Sequence, residues 1–325
     1  MNRREVFKGL AVAGIGIPFV RPALAQAYPS KPIRILVPAP GGSPPDILAR
    51  IVGNAISEAE GWTIVVENKP GGAMTIGALE ALRQPADGYT LASVTAPIAA
   101  AQTLVPSAKL HVETDFAPVI QLGKTYNVLV VAQSSPAKTL PEFIAYLKRD
   151  PGKHTFSSGG FGTPAHLLGE LFKLETGVQT LHVPYKGNSQ AIADIINGTN
   201  TYQFITAVAV VDLIAAGKLK ALVAMSQNRV PVLKEVPTIV ESGYPKLASE
   251  DWAGILVKSG TPAPVIAQLN AAINKALKLD KVRAAFAKVG ADTAGGTPEA
   301  FGKLVRDEVA HWSKVIKDAN IKINP

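Results

Sequence analysis

The chain has 325 residues, of which 47% are hydrophobic and 18% are charged, and its formal net charge is +8. This composition supplies a large core, and the 28 glycines and 25 prolines are too few for low-complexity disorder. The absence of cysteine excludes disulfides, a thiol nucleophile, iron–sulfur clusters and thiolate zinc sites. With only five scattered histidines, we predict neither a metal ion nor a cofactor.

The first residues have the pattern of an export signal. The paired Arg3 and Arg4 give a basic start, a mostly apolar stretch follows at 9–20, and small residues at 23–25 offer a cleavage site. The apolar stretch is too short to cross a bilayer. We therefore predict that residues 1–25 are an export signal peptide. The paired arginines resemble the twin-arginine pattern, but the pattern leaves Sec export open as well.

The positive charge is largely a property of this signal. Cleavage after residue 25 removes four basic residues and one acid, so the net charge falls from +8 to about +5. The remaining charge gives no argument for nucleic acid as a partner. We expect the mature chain to act in the periplasm.

Strands and helices alternate in the first part of the mature chain. Strand-like segments occupy 33–37, 62–66 and 89–94, a helix begins near Pro44, and a shorter helix is predicted at 77–82. Such alternation predicts an α/β fold with a parallel sheet that helices cover on both faces.

The alternation restarts after Tyr126. Strand-like segments follow at 127–132, 155–158 and 220–225, and a further one at 252–257 precedes two amphipathic helices that close the chain. This restart predicts two lobes rather than one large domain.

A strand, a glycine loop and a helix follow one another twice. Residues 38–43, the first glycine loop, lead into a helix near Pro44, and residues 159–163, the second glycine loop, lead into a helix near Pro164. Glycine lets the backbone approach a ligand, and free N–H groups at a helix start favour an anion. Two such loops in separate lobes would hold a carboxylate from both sides, although glycine in either loop is also explained by a tight turn alone.

Enzyme motifs fit these loops poorly. There is no G-x-S-x-G nucleophile motif and no G-x-G-x-x-G before the first helix, and the P-loop-like spacing at 72–77 lacks the lysine that follows in phosphate-binding loops. We predict that the protein is not an enzyme and has no catalytic residues. An exported hydrolase that uses Ser158 and His166 stays open as the alternative, since triads are defined by geometry.

Short motifs recur along the mature chain in a characteristic order. They are Tyr28-Pro29-Ser30-Lys31-Pro32-Ile33-Arg34, Pro40-Gly41-Gly42 with Asp46, Val66-Glu67-Asn68-Lys69-Pro70-Gly71, Asp87-Gly88-Tyr89-Thr90-Leu91, Ser157-Ser158-Gly159 with Gly162-Thr163 and His166, His182-Val183-Pro184-Tyr185-Lys186-Gly187, Val236-Pro237-Thr238, Trp252-Ala253-Gly254 and Gly260-Thr261-Pro262. In this order they resemble the periplasmic solute-binding proteins of the tripartite tricarboxylate transporters, the Bug family. Each motif alone is weak, and the order over most of the chain carries the resemblance.

The resemblance implies a type II periplasmic binding protein fold with a ligand cleft between two α/β lobes. Lobe 1 would comprise residues 28–126 and 251–325, and lobe 2 residues 127–250. It implies a monomer that captures a small organic carboxylate and delivers it to a membrane permease. A sensing module that reports to a signalling receptor has the same sequence features and stays an alternative. The implied ligand contacts are Gly41, Gly42, Ser43, Asp46, Thr95, Ser158, Gly162, Thr163, His166 and Tyr185.

This chain departs from the family pattern at Pro44-Pro45, where serine and threonine are common. Proline has no N–H, so two donors are lost, and we expect the ligand to depend on the Gly42 and Ser43 amides, the Ser43 hydroxyl and lobe 2. The apolar segment 205–210 favours an aromatic or longer-chain acid. The sequence does not identify the carboxylate. Asp46 and His166 also suit scaffold roles at their helix starts.

Overall fold

The structure, a computed structural model, describes residues 28–318 and residue 321. The predicted signal peptide at residues 1–25 lies outside these residues. Over the described ranges, no helix combines the length and the apolar composition that a membrane crossing needs. The described chain is mixed α/β, which confirms the predicted fold class.

Ten strands of the described chain join in one sheet. They are β1 (Ile33–Val37), β2 (Ile64–Asn68), β3 (Thr90–Thr95), β4 (Phe116–Ala132), β5 (His154–Ser158), β6 (Thr180–Pro184), β7 (Tyr202–Thr206), β8 (Leu219–Ala224), β9 (Glu250–Lys258) and β10 (Ala291–Thr293).

The α-helices of the described chain connect and cover these strands. They are α1 (Pro44–Glu60), α2 (Thr75–Arg83), α3 (Pro97–Leu104), α4 (Val112–Asp115), α5 (Leu140–Arg149), α6 (Pro164–Thr176), α7 (Asn188–Ile196), α8 (Ala207–Ala215), α9 (Ala263–Leu277), α10 (Asp280–Lys288) and α11 (Pro298–Asp318). Short 3-10 helices lie at Pro106–Ala108, Pro231–Leu233 and Pro245–Leu247.

The sheet consists of two halves that share β4. The first half has the order β2-β1-β3-β9-β4, and the second half has the order β4-β7-β5-β6. β10 and β8 also pair with β4. Along β4, Tyr126 is still opposite Glu250 of β9, whereas the next residue, Asn127, is opposite Thr206 of β7. We call this point the crossover.

The sequence predicted a parallel sheet, but the sheet is mixed: β1, β2 and β3 are parallel to one another, as are β5, β6 and β7, whereas β9 and β4 pair antiparallel with their neighbours. Apolar clusters pack against both halves. The largest buried cluster contains Phe156 and Tyr202 from the second half together with Trp252 and Phe301 from the first. Two smaller clusters lie one in each half. The rings of Trp252 and Phe301 meet edge to face with 5.3 Å between their centroids, which fixes α11 on the first half of the sheet.

Candidate functional site

The carboxyl ends of the parallel strands in the two halves point toward the crossover. β3 is antiparallel to β9, and β9 is antiparallel to β4, so β1, β2 and β3 run in the direction of β4. β7 is antiparallel to β4, so β5, β6 and β7 run the opposite way. The two sets of strands thus approach the crossover from opposite sides, and each glycine loop follows a strand end that is directed toward it.

Internal hydrogen bonds close the first glycine loop. The hydroxyl and the amide of Ser43 donate to the Pro40 carbonyl oxygen at 2.6 and 3.2 Å. The Gly42 amide donates to Oδ2 of Asp46, in the first turn of α1, at 2.8 Å. Gly42 has a φ of 77°, a left-handed value that glycine adopts without steric cost. The loop shape thus follows from one glycine, the N-cap serine and one acid.

The second glycine loop repeats this arrangement. The hydroxyl and amide of Thr163 donate to the Gly160 carbonyl oxygen at 2.7 and 3.4 Å, and the Gly162 amide donates to Nδ1 of His166 at 3.1 Å. The φ of Gly162 is 75°. The N-cap Thr163 has φ −71° and ψ 158°, against −74° and 160° at Ser43. The repeated sequence pattern therefore corresponds to a repeated loop conformation.

Asp46 is buried and holds the first glycine loop to its surroundings. Besides the Gly42 amide, Arg50 Nε and Asn68 Nδ2 each donate to its Oδ1 at 3.0 Å. Desolvation by burial opposes ionisation, but hydrogen bonds from Arg50, Gly42 and Asn68 hold the pKa of the carboxyl below its usual range. Both carboxylate oxygens thus already accept hydrogen bonds from the protein.

The variant Asp46→Ala is expected to unfold more easily than the parent by about 2 kcal/mol, because it removes the acceptor of three hydrogen bonds that a buried carboxylate makes to Gly42, Arg50 and Asn68. Urea denaturation of both proteins measures this difference. Asp307→Ala, at an exposed acid that pairs with Lys303 on α11, is the control and should change the free energy of unfolding by less than about 0.5 kcal/mol. Equal losses in the two variants would contradict the role given to Asp46.

The helices after the two loops offer different numbers of free amides. Pro44 and Pro45 take the first two positions of α1, so its first turn offers only the amide of Asp46. In α6 a single proline takes the first position, and the amides of Ala165 and His166 follow. Over the described ranges, these three amides donate to no protein acceptor. An anion at the crossover therefore finds more donors on α6 than on α1.

The serine and histidine considered for a hydrolase do not pair with each other. Oγ of the buried Ser158 lies 2.7 Å from Nε2 of His182 on β6, and it accepts from the Gly160 amide at 3.1 Å. His166 uses its Nδ1 to accept from the Gly162 amide. Within the described part of the chain, no acid hydrogen-bonds to either histidine. The structure thus does not assemble the Ser158–His166–acid triad of the alternative reading.

The two histidine rings stack on each other below the second glycine loop. The ring centroids of His166 and His182 are 4.3 Å apart, and Phe161 meets both rings edge to face. Burial lowers the pKa of His166 to about 4 and that of His182 to about 3, and the positive charge of Lys173 acts in the same direction on both. Both imidazoles are therefore neutral at pH 7.

The remaining predicted contacts lie on either side of the crossover. Thr95 ends β3 in the first half and is buried, with its Oγ1 3.7 Å from the Met74 sulfur. Tyr185 follows β6, beside the second glycine loop. Its hydroxyl donates to Asp194 Oδ2 at 2.5 Å and accepts from Asn200 at 2.6 Å. Burial, together with the hydrogen bond to Asp194, raises the pKa of Tyr185.

The sequence did not single out a second buried acid, which lies at the crossover. Asp251 is opposite Thr125 on β4, and its Oδ1 accepts from the amides of Trp252 and Ala96 at 2.9 and 3.3 Å. Burial raises its pKa to about 7, and the nearby Glu308 carboxyl adds to the shift. A small gap between the two halves of the sheet borders this side chain. Asp251 precedes the motif Trp252-Ala253-Gly254, but nothing in the local sequence marks its carboxyl as buried, so only the fold reveals its position.

Comparison with known sequences finds related proteins along most of the chain. The model of a family described as the tripartite tricarboxylate transporter family receptor matches residues 48–321. Protein BugT of Bordetella pertussis is 34% identical over 325 residues, which are 99% of this chain and 99% of that protein.

Solved structures with the same fold include proteins with bound carboxylates. The periplasmic binding protein BugD is 29% identical with a TM-score of 0.83, covering 91% of this chain and 99% of its own. Rpa4515 of R. palustris, solved with adipate, is 32% identical with a TM-score of 0.84, covering 91% and 99%. MatC of Rhodopseudomonas palustris, solved with bound malate, is 29% identical with a TM-score of 0.82, covering 89% and 100%.

Proposed function

Because the chain belongs to the tripartite tricarboxylate transporter receptor family of solute-binding proteins, we propose that it captures a small organic carboxylate in the periplasm and delivers it to a membrane permease. The ligand would lie between lobe 1, residues 28–126 and 251–325, and lobe 2, residues 127–250. The protein would act as a monomer and bind its ligand without chemical conversion.

The pair of matching glycine loops is the observation that carries this proposal. Each loop is fixed by its own hydrogen bonds, and each leads from the carboxyl end of a parallel strand into a helix whose first turn has amides without a protein acceptor over the described ranges. The positive end of a helix dipole and unpaired N–H groups favour a negatively charged group. A carboxylate at the crossover would receive such donors from both lobes.

Ligand capture would then act through the relative position of the lobes. A ligand that contacts both lobes binds the closed state better than the open one, and so shifts the population toward closure. Hinge closure of this kind gives a permease a surface by which to distinguish loaded from empty protein. The Ser158 hydroxyl, which hydrolysis would need, is buried and already bonded to His182 and Gly160.

The ligand class follows from the start of α8. β7 ends at Thr206 and leads directly into α8, at the same sheet edge as the second glycine loop. Ala207 and Val210, in the first turn of this helix, are apolar and buried. Both side chains pack in the core cluster of the second half, and residues 207–210 offer no polar side chain to a second or third carboxylate. With one carboxylate on the glycine loops, this apolar composition favours a ligand with an aromatic or methylene body over a compact tricarboxylate. The adipate bound to Rpa4515 is a longer-chain acid of this kind.

A thermal-shift comparison of adipate, benzoate, malate and citrate tests both parts of the proposal. We expect adipate or benzoate to raise the melting temperature most. Ligand at 100 times its Kd adds about 2.7 kcal/mol to the free energy of unfolding, and at equal concentration the acid that binds more tightly gives the larger shift. Mass spectrometry of the denatured protein shows whether a copurified acid masks the shift.

Two outcomes of this comparison would contradict different parts of the proposed function. If citrate binds more tightly than adipate and benzoate, the ligand class is wrong, while carboxylate capture stands. If ligand-free protein responds to no carboxylate of a broad panel, carboxylate capture itself is wrong.

A further inference from the structure

His182 lies in a stack of rings that fixes its orientation. It is opposite Phe156 in the register of β5 and β6, and the two rings stack with 4.7 Å between their centroids. His166 covers the other face of the imidazole, and Phe161 meets its edge. A ring held on both faces and at one edge cannot swing away from its hydrogen-bond partner.

The hydrogen-bond partner of His182 is Ser158, which in turn binds an amide of the second glycine loop. His182 Nε2 is 2.7 Å from Ser158 Oγ, and the same oxygen accepts from the Gly160 amide at 3.1 Å. The stacked His166 accepts from the Gly162 amide. His182 thus reaches one loop amide through Ser158, and it supports the ring that holds the other.

The first glycine loop has an equivalent support from its neighbouring strand. Asn68, the last residue of β2, donates to the Ala39 carbonyl oxygen at 3.1 Å and to Asp46 at 3.0 Å. In each half, therefore, a side chain from the adjacent parallel strand braces the loop and the helical residue that binds the loop glycine. In the second half this side chain is His182.

We propose that His182 is a positioning residue of the ligand site, which fixes the Ser158 hydroxyl and the His166 ring and so holds the second glycine loop ready for the carboxylate. The inference rests on the proposed function, because it assumes that this loop contacts the ligand. His182 acts through Ser158 and His166 and does not need to contact the ligand itself.

The test compares His182→Leu, which removes the ring nitrogen, with His182→Gln, whose amide can replace Nε2 beside Ser158. His154→Leu is the matched control, because His154 is another buried histidine of the second half, its ring packs on Tyr146, and its Nε2 has no partner over the described ranges. The Kd for the tightest acid of the thermal-shift panel is measured by calorimetry. Hydrogen exchange of the Gly160 and Gly162 amides is measured by NMR without ligand.

We expect His182→Leu to weaken binding at least about tenfold, since it removes the hydrogen bond that fixes the Ser158 hydroxyl from the side of β6 and leaves only the bonds to Gly160. Both loop amides should exchange faster in this variant, His182→Gln should restore most of the affinity and protection, and His154→Leu should change neither. Unchanged exchange in His182→Leu, or equal loss of affinity in His154→Leu, would overturn the inference. Faster exchange in a protein that binds no acid would support the positioning role and refute carboxylate capture, so the two failures are distinguishable.

Discussion

A valine in place of Gly162 is expected to remove almost all of the stabilisation that the ligand gives, while the protein still folds. At φ 75° the backbone of Gly162 is in the left-handed region, where a side chain costs about 1 to 2 kcal/mol. The unliganded variant should therefore melt at a lower temperature. Relief of the strain would also rotate the amide away from His166 and displace the second glycine loop.

The size of the effect follows from ligand linkage. If affinity falls a hundredfold, ligand at 100 times the original Kd adds about 0.4 kcal/mol instead of about 2.7 kcal/mol. Gly177→Val is the control, because Gly177 ends the same helix, has φ 70° and lies far from the loop with open space around it. Thermal shifts with and without ligand compare the variants. The role given to the second loop is wrong if both variants keep, or both lose, the ligand response.

Asp251→Asn is expected to gain stability relative to the parent protein as the pH rises from 5 to 8. The pKa of Asp251 is about 7 in the folded protein, against about 3.9 for an unfolded aspartate. Between these values the folded state holds a proton that the unfolded state has released. The contribution of Asp251 to stability is therefore complete below the unfolded pKa and is lost as the pH rises through about 7.

Asparagine stays uncharged, and its carbonyl oxygen can still accept from the Trp252 and Ala96 amides. The difference in free energy of unfolding between variant and parent should thus shift by about 2 to 3 kcal/mol in favour of the variant between pH 5 and 8. Urea denaturation at both pH values measures it. Other titrating groups, including the neighbouring Glu308, are common to both proteins. The control for the substitution itself is Asp280→Asn, at a fully exposed acid. A difference between Asp251→Asn and the parent that stays flat with pH would contradict the raised pKa of Asp251.

Local patterns predicted several elements of both halves well. The strand predicted at 33–37 coincides with β1, and the helices after Pro44 and Pro164 begin where expected. The resemblance built on ordered motifs is confirmed by the family match over residues 48–321. These features depend on short-range periodicity, capping and turn residues, which sequence displays directly.

The crossing strand was only partly predicted. The sequence indicated a strand at 127–132, whereas β4 begins at Phe116. Its register against β9 shifts after Pro118 and again before Gly123. Bulges of this kind break the alternation of side chains, and proline and glycine weaken a strand pattern, so the first part of β4 does not resemble a strand in the sequence.

The partners in the site were the least predictable part. We expected the carboxylate to depend on the amides of Gly42 and Ser43, but the structure gives these amides acceptors in Asp46 and Pro40. The sequence indicates which groups can donate, and it does not show which acceptors the fold brings to them. The pairing of Ser158 with His182 is similarly set by the register of β5 and β6, a long-range feature without a local motif.

Self-contained glycine loops have a consequence for the thermodynamics of recognition. Since Asp46, His166 and the two N-cap hydroxyls already satisfy the loop backbone, the empty loops need no ligand to stay ordered. Under the proposed function, an acid that binds does not have to offset the conformational entropy lost on ordering these loops, so more of its contact free energy remains to close the two proposed lobes. We therefore expect the heat-capacity change on binding to reflect surface covered between the lobes, with little contribution from loop ordering.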